Sequence, residues 1–421
     1  MTRRRCVIAA TVCVGAAAFA GLTAQERSAA PADLLKDPIV KAAIDAARTN
    51  EAQTIEEQIR FCEVAAPSFK ESARAEALRG AFQQLGLRNV RVDKAGNVLG
   101  DRPGAATQPH LVVAAHLDTV FSGDTDVRVK RDGAILRGPG IGDNCRGLAV
   151  LVAVVRALRQ AAVQTPGSIT FVATVGEEGL GDLRGVKQLF TETLVGEIDR
   201  FVAIDGTGLG VANVGVGSRR YRVSFKGPGG HSFAAFGLAN PIDALGRAIA
   251  KVAEFQVPHQ PKTTFNVGRV GGGTSVNSIP SEAWMEVDMR SSDPASLAAL
   301  DARFQKAIDA AVSEENERWR TPRMITAVKE RVGDRPPGST PADSSIVRTA
   351  QAVHRALNLP FSLSESSTDS NIPMSLHIPA ITIGAGGDGA DAHAPTESFN
   401  TTDASIGTQR AVLLTIALAQ K

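Results

Sequence analysis

Two histidines and several carboxylates in this chain stand where a pair of metal ions would need them. His116 and Asp118 fall in Ala115-His116-Leu117-Asp118, at the end of an apolar run. Asp143 is the carboxylate of Gly140-Ile141-Gly142-Asp143-Asn144. Glu177 and Glu178 sit between glycines in Gly176-Glu177-Glu178-Gly179, Asp205 follows Ile204, and His393 comes last, in Asp391-Ala392-His393-Ala394. Imidazole and carboxylate are donors for zinc and its first-row neighbours, and one carboxylate can bridge two cations. His116 and Asp118 are two apart on extended chain, so both side chains face one way and the carboxylate can orient the imidazole. Of two adjacent glutamates, one can bind metal while the other takes the proton of an attacking water. Each residue alone reads as an ordinary loop residue. Their coincidence points to a two-metal hydrolytic centre.

Rival readings are weaker. An acidic helix N-terminus accounts for Glu177-Glu178 alone. A phosphate-cradling loop would use the glycines around Asp143, but the Walker lysine and GxGxxG are missing. No CxxC pair stands in the chain, which argues against a thiolate zinc site.

The elements that must position these residues are short buried strands. Leu111–Ala115, Ile169–Val175, Phe201–Ile204 and Ala380–Ile383 are apolar runs, and His116, Glu177-Glu178, Asp205 and His393 each lie beyond the end of one. Ligands of open α/β sheets bind beyond the carboxyl ends of the strands. Helices are expected from Pro38 to Val64, Ala73 to Leu85, Arg146 to Ala162 and Thr401 to Gln420. Val90 to Val98 reads as an exposed strand with a turn at Ala95-Gly96-Asn97, and Arg128 to Leu136 as a hairpin. Strands alternating with helices give an α/β sheet covered on both faces.

The pattern changes between Gly217 and Pro336. Strands at Tyr221–Phe225, Thr263–Val270, Ala283–Met289 and Met324–Val332 enclose helices begun by Asn240-Pro241 and Asp293-Pro294. The first helix sets Ile242, Leu245, Ile249 and Val252 on one face, and the second Leu297, Leu300, Phe304 and Ile308. This β-α-β-β-α-β order is ferredoxin-like. Both its ends return to the α/β part, so it reads as an insertion. The expected division is a leader at 1–24, a first α/β part at 25–216, the inserted domain at 217–336 and a second α/β part at 337–421.

With 421 residues, 43% hydrophobic and 21% charged, the chain is ordinary for a soluble protein of about two domains. A net charge of +2 without a basic stripe argues against nucleic-acid capture. Arg3-Arg4-Arg5, an uncharged run from Cys6 to Leu22 and then small residues have the layout of a secretory signal peptide, which implies a periplasmic or secreted protein. An uncleaved anchor is the alternative. Cys62 and Cys145 remain in the mature chain, and nothing in the sequence decides whether they pair.

The motifs, in this order, resemble those of the M20 family of metallopeptidases, which holds di- and tripeptidases, glutamate carboxypeptidases, aminoacylases, acetylornithine deacetylase and succinyl-diaminopimelate desuccinylase. The likeness rests on Ala115-His116-Leu117-Asp118-Thr119-Val120, Gly142-Asp143-Asn144, Gly176-Glu177-Glu178-Gly179, Ala203-Ile204-Asp205-Gly206, Gly229-Gly230-His231-Ser232 and Ala392-His393. It implies a zinc-peptidase-like mixed sheet with an inserted ferredoxin-like lid and dimerisation domain. It further implies two Zn2+, with Mn2+ or Co2+ able to substitute. Asp143 would bridge them, His116 and Asp205 would complete one site, and Glu178 and His393 the other. Glu177 would be the general base, Asp118 would orient His116, and the bond after Asp143 would be cis. His231 would be an oxyanion donor reaching the active site, often that of a dimer partner, while Asn277 and Arg290 would hold the substrate carboxylate. Cys145, and Ala394-Pro395-Thr396-Glu397 after His393, depart from commoner patterns of the family. The expected substrate is a small peptide, with an N-acyl amino acid as the alternative. A binding protein without catalysis is opposed by Glu177, a base that a pure binder does not use.

Overall fold

The computed structural model describes residues 30–420, and the expected leader with Cys6 and Cys13 lies outside them. The main sheet has nine strands. In order across it run Arg88–Val92, Val98–Arg102, Ser168–Thr174, His110–His116, Arg200–Ile204, Ala380–Ile383, Val211–Gly215 and Gly338–Ser339, with Leu363–Ser366 also paired to Val211–Gly215. The four central strands are parallel. Val98–Arg102 and Val211–Gly215 flank them antiparallel. The central strands are continuous apolar runs because both faces are covered. One face packs on the helices Pro38–Thr49, Cys145–Gln160, Ser345–Ala356 and Ser405–Leu418, in a core that includes Val113, Leu151, Ile204 and Leu414. On the other face Val112 and Phe201 meet Leu183, Leu189 and Ile372.

A second sheet has the order Thr263–Gly272, Glu282–Ser291, Gly217–Lys226 and Thr326–Arg335, antiparallel throughout. The helices Pro241–Ala253 and Pro294–Trp319 cover it. Val223, Met285, Leu300 and Phe304 belong to a core of its own. Asn240 and Asp293 cap these helices through their side chains, as their sequence positions require. The fold class is therefore α/β with a mixed, helix-covered sheet and a second α+β unit between its strands.

Three local expectations are corrected. The long helix from Pro38 to Val64 is two helices, Pro38–Thr49 and Glu51–Cys62. Asn50 breaks them, leaving helical geometry at φ −90° and ψ 12°, while its side-chain amide donates to Gln160 Oε1 at 2.7 Å. The strand from Val90 to Val98 is a hairpin of Arg88–Val92 and Val98–Arg102, because the Asp93 carboxylate accepts the N–H groups of Ala95, Gly96 and Asn97 and turns the chain. Ile242 is 43% exposed rather than in the core. Pro241, Ala244, Leu245, Ala248 and Val252 form the buried face, which leaves Ile242 on its edge.

A third, small sheet runs Asp388–Ala390, Ser398–Asn400, Ile135–Arg137 and Lys130–Asp132. It joins two stretches far apart in sequence, the loop that carries Asp143 and the loop that carries His393.

Candidate metal centre

The parallel strands end together at one edge of the main sheet. His116 is the last residue of its strand, Glu177 and Glu178 follow Ser168–Thr174, and Asp205 follows Arg200–Ile204. Asp143 enters between the third sheet and the helix Cys145–Gln160, across a cis Asp143–Asn144 bond. His393 hangs from the Asp388–Ala390/Ser398–Asn400 pair, with φ 68°.

The five expected ligands converge. The two oxygens of Asp143 face different imidazoles: Oδ1 is 3.1 Å from His116 Nε2, and Oδ2 is 3.1 Å from His393 Nε2. Asp205 Oδ1 stands 3.5 Å from His116 Nε2, and Glu178 Oε1 3.0 Å from His393 Nε2. Two ligand sets result, His116–Asp143–Asp205 and Asp143–Glu178–His393, each with donor atoms within 4.8 Å of one another. Donors around one tetrahedral cation at ordinary zinc distances lie about 3.3–3.6 Å apart. The observed spacings are close to those edges, and the donor chemistry fits two divalent cations sharing Asp143. His116, Glu177 and Glu178 form a third such group.

The charge pattern supports this fit. Burial opposes a proton on His116, yet Asp205, Asp118 and Asp143 hold its pKa well above the usual imidazole range. Hydrogen bonding to Asp143, then Glu178, raises His393 to about 10. Burial works against the Asp143 carboxylate, but the two imidazoles hold it below the usual range. Cations bound there would meet the same carboxylates and leave the imidazoles free to act as ligands.

Asp118 acts differently from the expectation. Its carboxylate lies 3.6 Å from His116 Nδ1, beyond hydrogen-bond reach, whereas its backbone oxygen accepts from Nδ1 at 3.0 Å. The carboxylate instead accepts the N–H groups of Glu177 and Glu178 at 2.9 and 3.0 Å and the Ser68 hydroxyl at 2.6 Å. Asp118 thus fixes His116 through main chain and the glutamate loop through its side chain. The sequence spacing placed it correctly, but two N–H donors on the facing loop outcompete one imidazole.

Glu177 is buried. Burial pushes its pKa well above the carboxylate range, with Arg335 opposing and Glu178 adding. Arg335 Nη1 donates to Glu177 Oε1 at 3.0 Å. A cavity of about 470 Å³ opens over the centre, lined by Asp143, Glu177, Arg220, Arg290, Arg335 and Ser367 among others. Arg290 and Arg220 donate their Nε atoms to the two oxygens of Asp288, at 2.7 and 2.8 Å. Arg290 therefore lines the cavity over the centre, with its Nε held by Asp288. His231 and Asn277 do not. They line a separate cavity of about 810 Å³ on the second sheet's unit. There His231 Nδ1 accepts the N–H of Phe233 at 3.2 Å, which leaves Nε2–H free to donate.

Sequence reasoning missed three residues. Glu397, 1% exposed, accepts the N–H groups of Gly140, Gly142 and Asp143 at 2.8, 2.8 and 2.9 Å. Gly140 has φ +79°, and a Cβ there would lie 2.7 Å from Thr119, so only glycine fits this loop. Asp369 is buried on the Thr174 hydroxyl, and Arg335 is buried against Glu177. None of the three lies after an apolar strand, the signal that revealed His116, Glu177, Glu178, Asp205 and His393.

Residues 112–419 match the profile of Peptidase family M20/M25/M40. Over 250 residues the chain is 27% identical to succinyl-diaminopimelate desuccinylase of Bordetella bronchiseptica, a match covering 54% of this chain and 65% of that protein. In fold it is similar to a tripeptidase (SAV1512) from Staphylococcus aureus, with a TM-score of 0.72 and 21% identity over 88% of this chain and 99% of that one. It is also similar to the Bacillus subtilis YXEP protein, described as a dinuclear metal binding peptidase from the M20 family, with a TM-score of 0.64 and 16% identity over 88% and 98%.

Proposed function

The chain belongs to peptidase family M20/M25/M40 and is a metal-dependent hydrolase; on that premise, we propose that it is an exported dinuclear zinc peptidase that cleaves amide bonds of small peptides. The observation that carries this reading is the Asp143 carboxylate, whose two oxygens face two imidazoles, each with a further carboxylate beside it. Asp143, His116, Asp205, Glu178 and His393 would hold the cations. Bound there, two cations would acidify a water and stabilise charge on the attacked carbonyl.

The chain's own groups do the rest. Glu177 takes the proton of the attacking water and returns it to the leaving amine. Asp118 holds the glutamate loop by the N–H groups of Glu177 and Glu178 and is itself held by the Ser68 hydroxyl. Arg290 offers its remaining guanidinium donors to a substrate carboxylate, with Nε fixed on Asp288. His231, with Nε2–H free, serves as oxyanion donor in the active site of a partner subunit in a homodimer, and Asn277, on the same face, holds the substrate carboxylate there. Export rests on the basic start and uncharged run of residues 1–24. An exported enzyme of this kind scavenges peptides rather than serving biosynthesis. The likeness to a desuccinylase favours a second reading, hydrolysis of N-acyl amino acids.

Purified protein lacking residues 1–24, loaded with zinc, is tested on di- and tripeptides beside N-acetyl and N-succinyl amino acids. The reading expects peptide turnover, and a loss of at least about 10³ in kcat in Glu177→Ala with metal content unchanged. Turnover of acylated amino acids alone would move the assignment to the deacylases. Full activity in Glu177→Ala would remove the base.

A further inference from the structure

Glu177 is gripped from outside the sheet that carries it. Arg335 is the last residue of the strand Thr326–Arg335 in the second sheet and is 3% exposed. Its Nη1 donates to Glu177 Oε1 at 3.0 Å and to Ser367 Oγ at 3.2 Å, and its Nη2 donates to the backbone oxygen of Glu177. One rigid fork thus holds the carboxylate and the main chain of the same residue. The contact does not stand alone. The Asp334 N–H donates to Asp182 Oδ1 at 2.8 Å. Lys187 Nζ bridges Asp182 and the Asp334 oxygen, at 2.6 and 3.0 Å. Arg220, on the neighbouring strand, donates to the backbone oxygen of Gly179. The segment from Glu177 to Lys187 is therefore tied along its length to the edge where the second sheet rejoins the first.

We infer that Arg335 is a positioning residue, which holds the Glu177 carboxylate in the one orientation that faces both the metal centre and the substrate cavity. A buried ion pair is weak evidence for stability, because desolvation offsets much of its attraction. A fork on two atoms of a single residue removes rotational freedom from that residue, which is what a proton carrier needs. The inference rests on Glu177 being the general base. It makes the seating of the second unit on the first a condition for a correctly set base.

Arg335→Lys keeps the charge and removes the fork. It is compared with wild type, Glu177→Ala and the double variant, on the best substrate of the panel above and by crystal structures of the zinc-loaded proteins. Arg335→Lys should lose about 10² in kcat with KM changed by less than about threefold. Its Glu177 carboxylate should be displaced while both metals stay. In the Glu177→Ala background the second substitution should change kcat by less than about twofold, since nothing is left to position. An unmoved Glu177 with full kcat, a loss confined to KM, or an equal loss in both backgrounds would overturn the inference. Arg335→Gln serves if lysine is not accommodated, and failure of both variants to fold would make Arg335 structural and overturn it too. Full activity in Glu177→Ala would instead overturn the base itself.

Discussion

Asp369 is a buried acid with no cation in salt-bridge contact among the described residues. Its Oδ2 accepts the Thr174 hydroxyl at 2.5 Å, and Oδ1 has no hydrogen-bond partner among the described residues. Burial raises its pKa to about 6. The unfolded value is about 3.9, so between those two pH values the folded protein binds the extra proton. Stability therefore falls as pH rises from about 4 to about 6, and the full cost applies above 6. Relative to Asp369→Asn, metal-free wild type should lose roughly 2 kcal/mol of unfolding free energy between pH 4 and pH 7, most of the two-unit pKa difference at about 1.4 kcal/mol per unit. Urea titrations of both proteins at the two pH values measure it, and an unchanged difference would refute it. At this scale the sequence was legible where chemistry followed an apolar strand, as at His116, Glu178 and Asp205. Arg335 and Asp369 matter through burial and partners from other parts of the chain, which no local pattern carries.

Glu397 shows how elements, not single ligands, set the centre. It lies just before the strand Ser398–Asn400 and caps the glycine loop that ends in Asp143, so one carboxylate couples the two loops of the third sheet. Its own backbone oxygen accepts from Gly138 at 3.0 Å. Glu397→Ala would leave three N–H groups without their acceptor, at about 1–3 kcal/mol each where water does not replace it. The variant should unfold at least about 3 kcal/mol more easily and bind zinc at least about tenfold more weakly, as loss of outer support does elsewhere. Denaturant unfolding and chelator competition test the pair of effects, and wild-type values in both would contradict the role. The central strands and the long helices could be read from apolar runs and caps. The Asp388–Ala390 and Ser398–Asn400 strands could not, being three residues each and paired to partners made visible only by the fold.

The whole molecule joins two units with separate cores, and the proposed chemistry uses both. The first supplies the five ligands and Glu177. The second supplies Arg290 and Arg335, and presents His231 and Asn277 on a cavity apart from the metals. In the proposed homodimer, His231 would serve the neighbouring centre. Phe233 and Phe236, 89% and 79% exposed beside it, would gain cover in such an assembly. The insertion was legible because its β-α-β-β-α-β order and two Asn/Asp-Pro helix starts are local signals. The contacts between the units were not, since they pair residues such as Arg335 and Glu177 that the chain separates widely.

The most direct measurement is a crystal structure of the zinc-loaded protein with anomalous differences collected at the zinc edge. Two peaks about 3.5–4 Å apart are expected, both on Asp143, one completed by His116 and Asp205 and the other by Glu178 and His393. A single peak, or two that do not share Asp143, would contradict it.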